Sequence, residues 1–223
     1  MRFAFGALLT VLMLLAPATA ISAQATPIKL PDPAKRGTVS VEEALQARRS
    51  VRAYADAPLT LAQLGQILWA AQGITAADGH RTAPSAGATY PLELYVVVGN
   101  VTGLPAGVYK YRPQGHELVP HLDGDVRATL ARAAVRQGWV TQAPATLAIT
   151  AVAERTRTRY RDRTDRFVAI EVGHVGQNVY LQAVSLGLGT VMAGAIVEDS
   201  LAAVLKLEAS ERPLAVMPIG KAR

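Results

Sequence analysis

The chain predicts an α+β layered domain, on three observations. Helical and strand-like stretches interleave without a strict βαβ repeat. Two capping boxes, Ser40 with Glu43 and Thr60 with Gln63, mark helix starts. Runs rich in valine and tyrosine, "LELYVVVGN" and "GVYKYRP", followed by the shorter "HELVPHL", read as antiparallel strands.

Residues 24–39, "QATPIKLPDPAKRGT" with Val39, form a proline-rich extended lead-in, and order is expected to begin at Ser40. The first helix opens at "SVEE" and ends near "QARRSVR". The second carries an apolar stripe of Leu61, Leu64, Ile67, Leu68 and Ala71 and closes at Gly73. After the three strands, "GDVRATLARAAVRQG" reads as a helix, "PATLAITAVAE" as a buried strand and "DRFVAIEVGHVGQNVYLQAVSLGLG" as a long helix from about Arg163 to Leu186. "TVMAGAI" and "LAVMPIG" read as strands on either side of a helix at "EDSLAAVLKL". No internal repeat is visible.

The 223 residues, with formal net charge +6 and no cysteine, suit one globular domain with a substantial core. "MRFAFGALLTVLMLLAPATAISAQA" has a basic start at Arg2, an apolar run from Phe3 to Ala16 and then small residues, the pattern of a secretory signal. Cleavage after Ala20, Ala23 or Ala25 fits, and we favour Ala23, so that residues 1–23 are the signal and 40–223 the domain. The apolar run falls short of the roughly 20 residues a membrane span needs. Without Arg2 the mature chain stays basic, as suits a protein that meets anionic ligands or membrane surfaces. The absence of cysteine excludes disulfides, zinc-thiolate sites and thiol catalysis, so redox chemistry requires a bound cofactor.

Four groups of residues carry possible chemistry. Arg48, Arg49 and Arg52 at the end of the first helix are either a solvated cap, favourable at a helix C-terminus, or, with Ser50, a phosphate clamp. The small-residue loop Pro84, Ser85, Ala86, Gly87 and Ala88 is either a tight corner or a place where backbone approaches a ligand. On the long helix, Gly173 and Gly176 each cost roughly 1 kcal/mol relative to alanine, which implies close packing against another backbone or a ligand. Glu171, His174, Gln177 and Asn178 accompany them. His174 lacks a second ligand at metal spacing, and no metal is expected. Finally, the strand "LAVMPIG" runs apolar to Gly220 and leaves no slack before Lys221 and Arg223.

The order of "RRSVRAY", "LGQILWAAQGIT", "RTAPSAGATYPLELYVVVG", "GVYKY", "EVGHVGQNVYLQAVSLGLGTVMAGA" and a terminal "PIGK" resembles the nitroreductase family of flavoproteins, in particular its SagB/ThcOx-type branch, from about Val41 to the end. The resemblance implies a mixed, mainly antiparallel sheet flanked by helices, and an intertwined homodimer with FMN at the interface. It implies an FMN phosphate held by Arg48, Arg49, Ser50, Arg52, Lys221 and Arg223, and a flavin lying along Pro84, Ser85, Ala86 and Gly87. It places a backbone donor to flavin N5 at Ala193 or Gly194, in the strand reached through the turn at Gly187 and Gly189. The function so implied is two-electron hydride transfer to or from a small organic substrate. A flavin carrier without turnover, a member that has lost FMN and serves as an interaction module, and an azoline-to-azole oxidase are the alternatives.

Two features strain that resemblance. The azoline-oxidising branch uses a lysine-tyrosine pair where this chain has Arg159-Tyr160, and arginine keeps its proton at any ordinary pH. Tyr160 is the remaining candidate acid or orienting group. Export separates the chain from cytoplasmic NAD(P)H, which leaves the electron donor open. The arginines of "ERTRTRYRDRTDR" alternate with polar residues and would share one side if extended. They form a solvated loop, a lid for an acidic substrate, or a contact with an anionic membrane surface. Nucleic acid is not an expected partner, because only Tyr160 offers a stacking face there.

Overall fold

The computed structural model describes residues 26–135 and 137–223; the expected signal peptide and its cleavage points lie outside them. The lead-in is better anchored than expected. Ile28–Lys29 pairs as strand β1, Leu30 is buried in the core, and Gln66 grips the Ala34 backbone, accepting from its N–H at 2.8 Å and donating to its carbonyl at 3.0 Å. Order therefore begins before Ser40, because one apolar side chain and one glutamine fasten a segment whose composition reads as linker.

Helix α1 (Val41–Ala47) opens with the Ser40–Glu43 capping box. Strand β2 (Leu59–Thr60) leads into α2 (Leu61–Gln72), which opens with the Thr60–Gln63 box and stops at Gly73. Strands β3 (Leu92–Val98), β4 (Val101–Thr102), β5 (Gly107–Arg112) and β6 (Glu117–Asp123) follow. The next expected helix is split into α3 (Arg127–Ala133) and a single turn α4 (Trp139–Gln142), since Val135 adopts φ 53° and ends the first piece. Strand β7 (Ala145–Ala151) is buried at every position. Helices α5 (Glu154–Tyr160) and α6 (Thr164–Ser185), the two-residue strand β8 (Gly189–Thr190), helix α7 (Glu198–Leu205) and strand β9 (Arg212–Gly220) complete the chain.

Two expectations need correction here. The arginine-rich segment is helical rather than extended: its alternating residues are arginine and threonine, not apolar and polar, and only Thr156 is buried, so no face rewards a strand. "TVMAGAI" forms a ladder only through Thr190, with Ala193 in one isolated bridge to Val216, because the chain turns away there toward α7.

The main sheet has the order β1-β6-β5-β3-β7-β9-β8, and all its ladders are antiparallel. Among the described residues, parallel pairing is confined to β2 with β4 and to a Ser50–Thr190 bridge. Alternation along the strands sends Leu94, Val96, Leu147 and Met217 to one face, against α2 and α6. Tyr95, Val97, Ala148 and Val216 go to the other, against α3, α4 and α7. No helix among the described residues is long and apolar enough to cross a membrane.

Candidate functional site

The two ends of the domain meet at the close of α1. Arg48 leaves helical geometry, and the chain then runs beside β8, with the Val51 N–H donating to the Thr190 carbonyl at 2.9 Å. The residues after β9 pair with the same segment: Ala55 N–H donates to Lys221 O (2.9 Å), and Arg223 N–H to Ala53 O (3.1 Å). Tyr54, buried at 2% exposure, rivets the junction, its hydroxyl donating to Val51 O at 2.8 Å. Arg52, Lys221 and Arg223 thus project from neighbouring strands into solvent. Arg49 folds back onto the helix end, donating to the Gln46 and Arg48 carbonyls at 2.8 Å each.

Tyr180 of α6 organises the other side. Arg48 stacks on its ring at 5.2 Å, Ser50 Oγ lies 3.3 Å from its hydroxyl, and that hydroxyl accepts the Met192 N–H at 2.8 Å. Among the described residues, none of Arg48, Arg49, Arg52, Lys221 and Arg223 has a carboxylate within 4.0 Å. These five basic residues lie on two chain segments tethered by backbone hydrogen bonds, which leaves them available to an anion.

A groove of about 260 Å³ at this junction is bounded by Arg49, Val51, Tyr180, Gly189 and Ala222 among others; Arg48, Arg52, Lys221 and Arg223 are not among its lining residues. Gly189 packs on the Val51 side chain. Gly187, at φ 67°, provides the left-handed stop of α6, with the Leu188 N–H donating to Ala183 O at 2.8 Å. These two glycines shape the turn. Of the two expected backbone donors, Ala193 spends its N–H on Val216 O at 2.9 Å; the exposed Gly194 N–H has no partner among the described residues.

The small-residue loop lies elsewhere. Gly87 sits at φ 59°, and Ala88 (φ 53°) and Tyr90 (φ 45°) share that left-handed region without being glycine, so strain is concentrated here. Ser85 Oγ accepts the Tyr90 N–H at 2.9 Å, and His174 Nδ1 sits 3.3 Å from Pro84 O. Ala86 and Ala88 bound a short 3₁₀ turn. Helix α5 covers it: Arg155 donates to Tyr90 O (3.1 Å), Arg159 to Gly87 O (3.4 Å), and a Cβ on Gly87 would meet the Tyr160 hydroxyl at 2.8 Å. Tyr160 leans on Phe167, with ring centroids 4.5 Å apart. Bulk at Gly87 is thus excluded by the chain itself. Beneath the loop lies Glu171, 2% exposed, whose Oε1 accepts from Gln72 at 3.4 Å. Burial pushes its carboxyl above the usual range, against the opposing influence of the Ser85 hydroxyl, Gln72 and Arg81.

Loop and clamp contact different sides of α6. Glu171 and Tyr180 are about 13 Å apart along the helix axis and roughly 180° apart around it, and no loop residue borders the groove beside the clamp. A Cβ on Gly176 would run into Met192, whereas one on Gly173 would meet nothing within 4 Å among the described residues, and Gly173 joins Ile170, at 45% exposure, on an open stretch of the helix. Sequence reasoning missed Tyr180, which offers no motif of its own, and it missed the strain at Ala88 and Tyr90.

An antiparallel sheet packed between α2/α6 and α3/α7, with exposed basic residues where the two chain ends meet, defines the class as an α+β domain. The model of the Nitroreductase family matches residues 45–221, and the chain belongs to that family. It is 50% identical over 194 residues to a Methanocaldococcus jannaschii protein that carries nitroreductase as a provisional name, covering 87% of this chain and 96% of that one. It is 32% identical over 136 residues to the trifolitoxin-processing protein TfxB of Rhizobium leguminosarum bv. trifolii, which spans 57% of this chain and 36% of TfxB. A crystal structure from Ralstonia eutropha, also provisionally named a nitroreductase, superposes with TM-score 0.78 at 31% identity, covering 95% of this chain and 96% of the other.

Proposed function

We propose that the chain is an exported, homodimeric, FMN-dependent oxidoreductase of the SagB/ThcOx-like kind, acting on a small organic substrate. The observation that carries this reading is the cluster of Arg48, Arg49, Arg52, Lys221 and Arg223 without carboxylate partners, which fits a terminal phosphate of charge near −2. Bound FMN would supply hydride transfer at its N5.

The chain's own residues bind, orient and exclude. Arg52 and Lys221 hold the phosphate, Ser50 adds a hydroxyl positioned by Tyr180, and the unpartnered Gly194 N–H serves as the backbone donor that the resemblance places at Ala193 or Gly194. The loop of Ser85, Ala86 and Gly87 contacts the flavin of the other subunit, since within one chain it lies across α6 from the clamp. The open face of α6 at Ile170 and Gly173 then belongs to the subunit interface. Tyr160, whose hydroxyl lies over Gly87, would orient a substrate there. Arg159 cannot act as a base, so azoline oxidation by the lysine-tyrosine route is not proposed.

Purified protein is expected to be yellow and to release FMN on denaturation, with reduction by dithionite, NADH or NADPH followed by reoxidation with quinones or nitroaromatics. Colourless protein that takes up no added FMN overturns the reading; flavin that is bound but never turns over reduces it to a carrier.

A further inference from the structure

A second cationic cavity opens where the main sheet forks. Strand β3 pairs with β5 only from Tyr95 to Val98; at Leu92–Leu94 it pairs with β7 alone, and β5 at Tyr111–Arg112 pairs with β6 alone. The two strands therefore part company, and a cleft of about 420 Å³ lies between them, the size of a small-molecule site. Its floor is apolar, from Leu92, Leu94, Pro113 and Val119, while Arg81, Lys110, Arg112 and Arg155 stand in its walls.

The balance of charge in those walls is incomplete. Glu93, the one carboxylate among the lining residues, is shared by Lys110 at 3.2 Å and Arg155 at 2.5 Å. Lys110 also reaches Glu211, and Arg112 is paired with Glu117 at 2.9 Å. Arg81 has no carboxylate within 4.0 Å among the described residues. Its guanidinium donates to Gln72 Oε1 at 2.9 Å and lies over the Tyr90 ring at 4.3 Å. Its Nε is buried without a partner, and burial disfavours its charged form. Glu93 and Glu171 favour its charge only from beyond salt-bridge distance, and a partly desolvated cation with no carboxylate in contact is stabilised by an anion that enters from the cavity.

We propose that this cleft binds a small carboxylate with an apolar body, its head group on Arg81 and Arg155 and its body on Leu92, Leu94 and Val119. The cleft is not the phosphate clamp, with which it shares no lining residue. It touches the small-residue loop from behind, because Arg81 and Arg155 both hold Tyr90 and because Gln72 links Arg81 to Glu171. Occupancy of the cleft thus bears on the segment that carries the strained residues.

The test is calorimetric titration of the purified chain, with and without FMN, using benzoate, hexanoate, inorganic phosphate and the neutral isostere benzamide. Saturable binding of benzoate and hexanoate at one site per chain is expected, with phosphate and benzamide weaker. Arg81→Gln should weaken benzoate by about tenfold or more, the loss of one charge-assisted contact. Gln114→Trp, which fills the mouth of the cleft from an exposed position, should do the same if Arg81→Gln fails to fold. Arg157→Gln should bind as the parent chain does. Equal binding of benzamide, unchanged binding by both cleft variants, or loss of benzoate on loading with FMN overturns the proposal. Since the FMN-free chain is titrated as well, failure of the flavin reading does not decide the result.

Discussion

Arg52→Ala and Lys221→Ala are each expected to weaken FMN binding about ten- to a hundredfold, the loss of one charge-assisted hydrogen bond worth roughly 1.5–3 kcal/mol. Arg157→Ala leaves it nearly unchanged. Both clamp residues are exposed and without carboxylate partners, so their removal costs the fold little. What holds them in place is backbone: the Ala55–Lys221 and Arg223–Ala53 hydrogen bonds survive truncation of the side chains. Arg157 has a comparable charge but is engaged with Glu154 at 3.2 Å on α5. Equilibrium titration of flavin fluorescence measures all three. Equal losses would mean a diffuse field, and unchanged affinity for Arg52→Ala and Lys221→Ala would mean that the phosphate lies elsewhere.

Glu211→Ala destabilises the fold by about 3 kcal/mol, the largest expected effect on stability. The Glu211 carboxylate, with a side chain only 3% exposed, accepts from Tyr95 at 3.1 Å and from Thr150, and faces Lys110 at 3.5 Å. Burial and the Glu211 charge push the Tyr95 phenol up to about 12, so it remains a donor throughout the neutral range. Removing the acceptor strands the Tyr95 phenol and leaves the Thr150 hydroxyl only the Glu93 carbonyl at 3.3 Å, while Lys110 keeps Glu93 at 3.2 Å, where β3, β5, β7 and β9 come together. Glu211→Gln retains an acceptor oxygen and costs about 1 kcal/mol. Thermal unfolding should place the alanine variant about 6–12 °C below the parent. A fall no larger than that of the glutamine variant would show that the network contributes little.

What the sequence made legible was local. Ser40, Glu43, Thr60 and Gln63 announce two helices because a capping box is closed by neighbours three residues apart. Valine-rich β3 and fully buried β7 announce themselves by composition. The antiparallel sheet, the family and the convergence of the two chain ends also followed from ordered stretches of sequence. What escaped depends on contacts between distant residues: Leu30 and Gln66 anchoring the lead-in, Tyr180 joining Ser50 to Met192, and Arg81 resting on Tyr90. Helix α5 was hidden because threonine and arginine in alternation imitate a strand, while its actual support is the helical Glu154–Arg157 pair and the covering of the loop. The early end of β8 was hidden for the opposite reason, since Val191 and Met192 have strand composition but no ladder partner beyond Thr190.

In the proposed dimer one flavin is held by the clamp of one subunit and the loop of its partner. The direct measurement is FMN content in dimers that combine an Ala86→Trp chain with an Arg52→Ala/Lys221→Ala chain, isolated with two different tags. Each homodimer lacks one half of both sites and should be nearly colourless. In the mixed dimer one site joins the intact clamp of the first chain to the intact loop of the second, and about one FMN per dimer is expected. Mixed dimers as empty as both homodimers would contradict the shared site, as would full flavin content in the Ala86→Trp homodimer.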